Sequence, residues 1–421
     1  MQPLKDIRVL AVTVYLAGPF LSMNLARFGA EVIKVEIPGI GDSVRGIGPY
    51  AGPNGVHPTR QTEDDIATKF LKRTQGVKSL TLNLKDPAGR QLFLDLAKES
   101  DVVIENIAPG SMKRLGLGYD DVAAVNPGIV YCSISGYGQV GPYADNPAHD
   151  HQIQAMAGMM DINGQPDGPP TRVGVFVSDL ATPLYCAYSI LAALRHKEQT
   201  GEGQYLDASM IDTLATLMFM EPLEEAIALG QPVRAGNDSR TSPTGLYRTK
   251  DADIIITAAG LGQWTGLCEA LDAPEWLEDP RFDPAGDRAK HLDELRAEIQ
   301  KRIGKMTCAE AIEKLNKADV PVAPVRTMDQ IIADDHFRDR GSLKPMRHAK
   351  LDAPVDGRVV VGYPINFSSG ELPDLVGAPT LGMHTDEILG DVLGLSAEDL
   401  SLIHISEPTR RRLESRVGAG G

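Results

Sequence analysis

One carboxylate of this sequence stands where it could act as a nucleophile. Asp179 follows the apolar stretch 173–177 and precedes the uncharged apolar segment 180–194, which predicts a helix. At the N-cap of a helix a carboxylate can accept hydrogen bonds from free backbone N–H groups, and the helix dipole stabilises its charge. A carboxylate in that position can also attack an acyl group and carry it covalently. The local sequence leaves both interpretations of Asp179 open, and one residue can do both.

Two histidines flank an aspartate at 149–151. On an extended loop, His149 and His151 would point to opposite sides, which is poor geometry for chelating a metal ion. A pair of loop histidines, or a general acid or base at His149, is therefore favoured over a metal ligand, and no metal is expected.

The first strand, turn and helix lack the glycines of a dinucleotide site. The turn between Thr13 and Phe20 has a single glycine, Gly18, instead of G-x-G-x-x-G, so the backbone cannot approach a pyrophosphate closely. A nicotinamide cofactor is disfavoured, and Glu36 is expected to be a solvated carboxylate at the end of its strand. The P-loop, H-E-x-x-H and G-x-S-x-G motifs are also missing from the sequence.

Alternating strand and helix patterns supply the frame that must position these residues. Runs rich in β-branched residues predict strands at 7–13, 32–36, 79–84, 102–105 and 129–134. Segments with apolar residues at helical spacing lie between them, and Asp86-Pro87 is a typical helix start. This alternation predicts parallel strands in a doubly wound α/β sheet, whose ligands bind outside the carboxyl ends of the strands.

The helix predicted at 180–194 has one broad apolar face. Leu184, Tyr188 and Leu191 share that face, and Ile190 widens it, so we expect the helix to be buried. The segment is too short to span a bilayer.

The composition changes after about residue 222. Beyond it, the sequence predicts strands at 254–257 and 320–325 and helices at 263–271, 291–303 and from a capping box at 307–310 onward. We therefore predict a large domain over 1–222, a smaller α+β domain over 223–330, a return to the large domain over 331–402, and a disordered or artefactual tail at 403–421.

Length and charge exclude several classes of protein. The chain has 421 residues with a formal net charge of −15, which disfavours nucleic-acid binding. Its four cysteines lie far apart with no C-x-x-C pair, which argues against a disulfide framework or a structural zinc site. No signal peptide is evident at the N-terminus. We expect a cytoplasmic protein without a membrane partner.

Three long stretches carry a family resemblance: AGPFLSMNLARFGAEVIKVE at 17–36, the segment 78–143, and SDLATPLYCAYSILAALRHKEQTGEGQYLDASMID at 178–212. They resemble the class III CoA-transferases, a family that includes formyl-CoA and carnitine CoA-transferases and α-methylacyl-CoA racemases; weaker matches lie at 235–264 and 320–337. The resemblance implies a Rossmann-like doubly wound domain built from both ends of the chain plus a small domain. It also implies an interlocked homodimer of ring-shaped subunits.

Asp179 matches the family's catalytic aspartate. In the family mechanism this carboxylate attacks an acyl-CoA thioester, and the released CoA then forms an aspartyl-CoA thioester that the acceptor acid resolves. The resemblance thus implies an acyl-CoA:carboxylate CoA-transferase, with acyl-CoA as substrate and no tightly bound cofactor. The positions that match the family's CoA contacts are Ala17, Val77, Lys78, Asn106, Ile107, Ala108, Arg114, Gly136 and Tyr137.

Departures from the family pattern bear on the reaction. Leu16 replaces a glutamine of the formyl-CoA transferases, and 238–243 replaces their tetraglycine lid, which disfavours oxalate or formate specificity. The chain keeps His149 and Asp179 of the racemases but has no acid at 259–264, so transfer is favoured over racemisation. A 2-methylacyl-CoA racemase, and a CoA-binding protein in which Asp179 only caps a helix, stay alternatives.

Arg240 lies in the segment that replaces the glycine lid. A guanidinium group can bind a carboxylate through two hydrogen bonds, so Arg240 could hold the second carboxylate of a succinate-like, mesaconate-like or malate-like acid. An exposed loop arginine is the alternative interpretation.

Overall fold

Runs of Val and Ile supply several strands of the computed structural model, which describes residues 1–286, 288–355, 357–396 and 398. In chain order the strands of these residues are β1 Arg8–Val12, β2 Glu31–Glu36, β3 Tyr50–Gly52, β4 Gly55–His57, β5 Ile66–Ala67, β6 Val77–Thr81, β7 Val102–Glu105, β8 Val130–Ser135, β9 Gln204–Ser209, β10 Gly245–Arg248, β11 Asp253–Ile256, β12 Val322–Pro324, β13 Leu343–Pro345 and β14 Val359–Val361.

Six of these strands form a parallel sheet in the order β6-β2-β1-β7-β8-β9. This order confirms the predicted doubly wound α/β architecture. The chain builds β2 and β6 on one side of β1 and then β7, β8 and β9 on the other, so the order reverses between β1 and β7. Strand β9 is not among the predicted strands, because its residues alternate between exposed and partly buried and form no apolar run.

Helices connect and cover the sheets. Those of the described residues are α1 Ala17–Arg27, α2 Thr68–Arg73, α3 Pro87–Lys98, α4 Ser111–Arg114, α5 Tyr119–Val125, α6 Asp150–Met156, α7 Met159–Ile162, α8 Val177–Thr200, α9 Met210–Met218, α10 Leu223–Ala228, α11 Leu261–Ala270, α12 Leu292–Ile303, α13 Cys308–Lys317, α14 Met328–Ala333, α15 Asp335–Asp339 and α16 Thr385–Leu393. The start of α3 is as predicted: Pro87 is its first residue, and the Asp86 carboxylate accepts a hydrogen bond from the Ala88 N–H at 2.8 Å.

Helix α8 differs from the prediction in its bounds. It begins at Val177, so Asp179 is its third residue and Phe176 occupies the N-cap, which corrects the expectation that Asp179 would cap the helix. It continues for 24 residues to Thr200, a length and composition that would suffice to cross a membrane, a test that core helices of soluble proteins also pass. Here α8 packs against α1 and β9.

The predicted inner face of α8 is right at Ile190 and wrong at its other three residues. Leu184, Tyr188 and Leu191 are 40–55% exposed, whereas Cys186 and Ile190 are buried. Residues of both faces are apolar, so helical spacing alone could not decide which face packs on the sheet.

The chain divides into two units. The first comprises Met1–Ala157, Gly174–Leu217 and the described residues from Asp335 onward; the second comprises Gly158–Val173 and Met218–Asp334. The first unit thus draws on both ends of the chain. Compared with the predicted domains, the second unit also includes 158–173 and begins at 218 instead of 223. The predicted tail at 403–421 lies outside the described residues.

The second unit has an antiparallel sheet of β10, β11 and β12. Apolar faces of α11, α12 and α13 cover it, with Trp264 and Ile299 in the core. Thr307 and Glu310 form the predicted capping box: the Thr307 N–H donates to the Glu310 carboxylate at 2.7 Å, and the Glu310 N–H donates to the Thr307 hydroxyl at 3.3 Å.

Candidate active site

A cavity of about 700 Å³ lies at the carboxyl ends of β1, β7 and β8, and all its lining residues belong to the first unit. The loops after these strands and the first turns of α1, α6 and α8 form its wall. This is the switch point of the doubly wound sheet, where such folds bind ligands. Asp179 and His149, the two predicted catalytic residues, both line the cavity.

Asn106 joins the loops that follow β1 and β7. Its Oδ1 accepts a hydrogen bond from the Val14 N–H at 2.8 Å, and its Nδ2 donates to the Val14 carbonyl at 3.0 Å. A Cβ atom at Gly18 would lie 2.7 Å from the same Oδ1, so this turn requires glycine. The Asn106 amide therefore shapes the wall of the cavity through bonds to the protein backbone.

The Asp179 carboxylate is partly buried and poorly solvated. Among the described residues, no group donates a hydrogen bond to it. Burial raises the pKa of Asp179 to about 6; the negative charge of Asp150 adds to the rise, and the positive charge of Arg73 opposes it. Such a carboxylate is still ionised at neutral pH, and it is more basic and less solvated than an ordinary aspartate, as a nucleophile requires.

Asp150 fixes the first turn of α8. Its Oδ1 accepts hydrogen bonds from the N–H and the hydroxyl of Ser178, both at 2.8 Å, and its Oδ2 accepts one from the Gln154 amide at 2.6 Å. Asp150 is 1% exposed. Because Ser178 directly precedes Asp179, Asp150 is a positioning residue for the candidate nucleophile.

His149 is exposed on the rim of the cavity. It directly precedes α6, while His151 lies within that helix, so the two do not sit on one extended loop as assumed from the sequence. The His149 ring contacts Tyr15 edge to face, with 5.8 Å between ring centroids. No group of three His, Cys, Asp or Glu side chains within the described residues could hold a metal ion.

Two cations of the cavity were missed by the sequence analysis. Lys69 and Arg73 are four residues apart on α2, which places them on one face of the helix, and both line the cavity. The Arg73 guanidinium donates a hydrogen bond to the Tyr15 carbonyl at 3.1 Å. Their i, i+4 spacing is visible in the sequence, but nothing local connects α2 with the cavity.

The predicted CoA contacts fall into two groups. Those that line the cavity are Ala17, Asn106, Ile107, Ala108 and Gly136. The other four lie elsewhere in the first unit: Val77 is buried within β6, Lys78 pairs with Glu31 and Glu387, Arg114 donates to Ser111, and Tyr137 packs on Tyr143. Their role toward CoA stays a prediction.

Arg240 belongs to the second unit. Its guanidinium donates a hydrogen bond to the Val233 carbonyl, while its Nε is buried without a partner. One of its donor groups is thus already used within its own unit, and its role toward a carboxylate substrate stays a prediction.

Comparison with known proteins identifies the family of this chain. The CoA-transferase family III profile matches residues 4–385. This chain belongs to CoA-transferase family III. It is 33% identical over 395 residues to the succinyl-CoA:glutarate CoA-transferase of Mus musculus, which covers 93% of this chain and 87% of the relative. It is 36% identical over 399 residues to the succinyl-CoA:mesaconate CoA-transferase of Haloarcula marismortui, covering 93% and 96%.

Solved structures of the family have the same fold. A CAIB/BAIF family protein from Brucella suis superimposes with a TM-score of 0.78 at 31% identity, covering 93% of this chain and 99% of that one. The chain is therefore a family III CoA-transferase acting in acyl-CoA:carboxylate CoA transfer, as the sequence resemblance implied.

Proposed function

We propose that this CoA-transferase uses Asp179 as the nucleophile that carries CoA between an acyl-CoA and a small dicarboxylic acid. The observation that carries the proposal is the state of the Asp179 carboxylate, which lines a cavity large enough for a thioester and receives no hydrogen bond from a described group. If the side chain only capped a helix, its oxygens would accept hydrogen bonds from backbone N–H groups.

The proposed reaction balances without a cofactor. The Asp179 carboxylate attacks the thioester carbonyl and expels the CoA thiolate, giving a mixed anhydride. The thiolate then attacks the aspartyl carbonyl, which releases the donor acid and leaves an aspartyl-CoA thioester. The acceptor carboxylate attacks this thioester, expels the CoA thiolate again and forms a second anhydride. The thiolate then attacks the acceptor's carbonyl carbon, which yields the new acyl-CoA and releases the Asp179 carboxylate. Acyl-CoA enters as a substrate, and no resident cofactor is needed.

The cavity also supports a dicarboxylic acceptor. One carboxylate must reach Asp179, and a second would find the cations of Lys69 and Arg73 on the same wall. Relatives named for succinyl-CoA with glutarate or mesaconate act on acids of this class. Lys69 and Arg73 line the same cavity as Asp179, and all lining residues of that cavity come from the first unit.

Trapping the intermediate tests the proposal. The enzyme is mixed with succinyl-CoA and then with hydroxylamine, and peptides are read by mass spectrometry. We expect Asp179 to be converted to its hydroxamate, with no modification of Asp150 and none in Asp179→Asn. An unmodified Asp179 in an enzyme that turns over would refute the mechanism. Deuterium uptake at the α-carbon in D₂O without an acceptor acid would instead support the racemase alternative.

The assembly and compartment belong to the same proposal. Leu184, Tyr188 and Leu191 leave an apolar strip exposed along α8, and a second copy of the chain would bury it, consistent with the homodimer that the family resemblance implies. Light scattering should give twice the mass of the chain. The four free cysteines fit a cytoplasmic protein.

A further inference from the structure

A second, smaller cavity of the first unit is lined by an excess of cations. Its volume is about 90 Å³, and its lining includes Arg27, Gln75, Lys344, Arg347 and Asp374. It shares no lining residue with the cavity at Asp179. Lys344 and Asp374 form an ion pair with each other, so no described lining carboxylate remains to pair with the two arginines.

Arg27 is buried without a counter-ion. It is 5% exposed in the last turn of α1, and no described carboxylate forms an ion pair with it. Its Nη2 donates to the Val361 carbonyl, but its Nε has no hydrogen-bond partner. Burial lowers the pKa of the Arg27 guanidinium, an effect that the nearby Tyr363 opposes. An arginine stays charged even so, and a buried unpaired charge is strongly unfavourable.

Gln75 is a second buried side chain with an unsatisfied hydrogen-bond donor. It is 4% exposed, and its amide Nε2 has no hydrogen-bond partner. The unpaired atoms of Arg27 and Gln75 are both donors, so a group that pairs with them must be an acceptor. A water molecule could accept these hydrogen bonds but would leave the charge of Arg27 uncompensated.

We propose that this cavity binds one small oxyanion, a carboxylate or a phosphate group, through Arg27 and Gln75. Its volume of about 90 Å³ is small beside the 700 Å³ of the cavity at Asp179, which suits a small oxyanion. A guanidinium group binds oxyanions through paired, charge-assisted hydrogen bonds.

The position of this anion site connects two elements of the catalytic cavity. Arg27 ends α1, whose first residue, Ala17, lines the catalytic cavity. Gln75 follows α2, which supplies Lys69 and Arg73 to the same cavity. A bound oxyanion would join the end of α1 to the segment after α2.

Equilibrium dialysis of the full-length protein with radiolabelled phosphate, and separately acetate, in chloride-free buffer of low ionic strength tests the site. We expect the wild type to bind one equivalent that Arg27→Met loses and that Gln75→Leu binds about tenfold more weakly. Two controls should keep this equivalent: Arg73→Met, which alters the catalytic cavity, and Arg248→Met, which removes an exposed arginine of the second unit. Comparing the two anions shows whether phosphate or carboxylate is preferred.

Thermal melting gives an independent measurement. The bound anion should raise the wild-type midpoint by roughly 3–5 °C at a hundredfold excess over its Kd, and Arg27→Met should not respond. If Arg27→Met fails to fold, the affinity of Gln75→Leu for the anion tests the proposal instead. The proposal is overturned if the wild type binds no equivalent, or if neither substitution at Arg27 or Gln75 weakens binding.

Discussion

Two acids of the first unit, Glu36 at the end of β2 and Asp179 in the first turn of α8, have opposite surroundings. Glu36 is 4% exposed, and its two oxygens accept hydrogen bonds from Arg45, the Ser79 hydroxyl and the Asp42 N–H at 2.7–2.9 Å. Asp179 is less buried, yet no described group donates a hydrogen bond to it. Hydrogen bonding, more than burial, separates these two carboxylates.

Their pKa values move in opposite directions for this reason. Burial alone would raise the pKa of Glu36, but the hydrogen bonds and charge of Arg45, the charge of Lys34 and the Ser79 hydroxyl outweigh it and hold the pKa below its ordinary value. Burial raises the pKa of Asp179 to about 6, the charge of Asp150 adds to this, and Arg73 offsets it only in part. The Glu36 carboxylate therefore stabilises the fold, whereas the Asp179 carboxylate is available to react.

The largest expected effect is on turnover. Asp179→Asn should lower kcat by at least about 10,000-fold, because an amide cannot form the anhydride, while Glu36→Gln should lower only the amount of folded enzyme. Steady-state assays of CoA transfer from succinyl-CoA, normalised to folded protein by circular dichroism, measure this. Appreciable turnover by Asp179→Asn would show that the two acids do not differ in the way that the structure indicates.

Much of the fold could be predicted from the sequence, because strands of a parallel sheet are apolar runs. Strands β1, β2 and β7 lie where predicted within a few residues. Strand β9 could not be predicted, because alternate residues of it are exposed. The buried face of α8 was predicted correctly at Ile190 but wrongly at Leu184 and Tyr188, because both faces are apolar and only contacts distant in sequence select one of them.

The site was predictable only where a motif identified a residue. Asp179 and His149 came from such patterns, and both line the cavity. The expectation that Glu36 would be solvated is wrong, because Arg45 and Ser79 are brought to it by the fold. Arg73 was missed because the fold also brings it to the site. It is about a hundred residues before Asp179 in the sequence, and no local pattern indicates that their charges interact.

The second largest effect should be a loss of stability when Glu36 loses its guanidinium partner. Arg45→Met leaves the carboxylate of Glu36 buried without its guanidinium partner, and removing one member of a buried pair costs about 3–5 kcal/mol. Urea unfolding monitored by circular dichroism measures the loss. The control Lys98→Met breaks the exposed pair with Asp95 and should cost less than about 1 kcal/mol. Equal losses in both variants would contradict the assignment of Glu36 to structure.

A third substitution sharpens the electrostatic part of the comparison. Because Arg73 lowers the pKa of Asp179, Arg73→Met should shift the acid limb of kcat/KM from about pH 6 to a higher pH. The rate falls on the acid side because a protonated carboxyl is a poor nucleophile. Lys72→Met, an exposed neighbour on α2 outside the cavity, should leave the limb unchanged. A limb that does not move in Arg73→Met would show that the two charges are not coupled.

The smallest effect is the pH dependence of stability, whose sign should differ between the two acids. Asp179 binds a proton more tightly in the folded than in the unfolded chain, so its ionisation destabilises the fold as the pH rises through about 6. Asp179→Asn should therefore be more stable than the wild type by roughly 1 kcal/mol at pH 7.5, with the difference vanishing near pH 4.

Glu36 has a lowered pKa, so its contribution is present at neutral pH and is lost as the pH falls through the folded-state value. Glu36→Gln should accordingly be less stable than the wild type at pH 7.5, and the gap should narrow in acid. Urea midpoints of both variants across this pH range test the pair together. Gaps of the same sign in the two variants would mean that hydrogen bonding does not separate the reactive acid from the structural one.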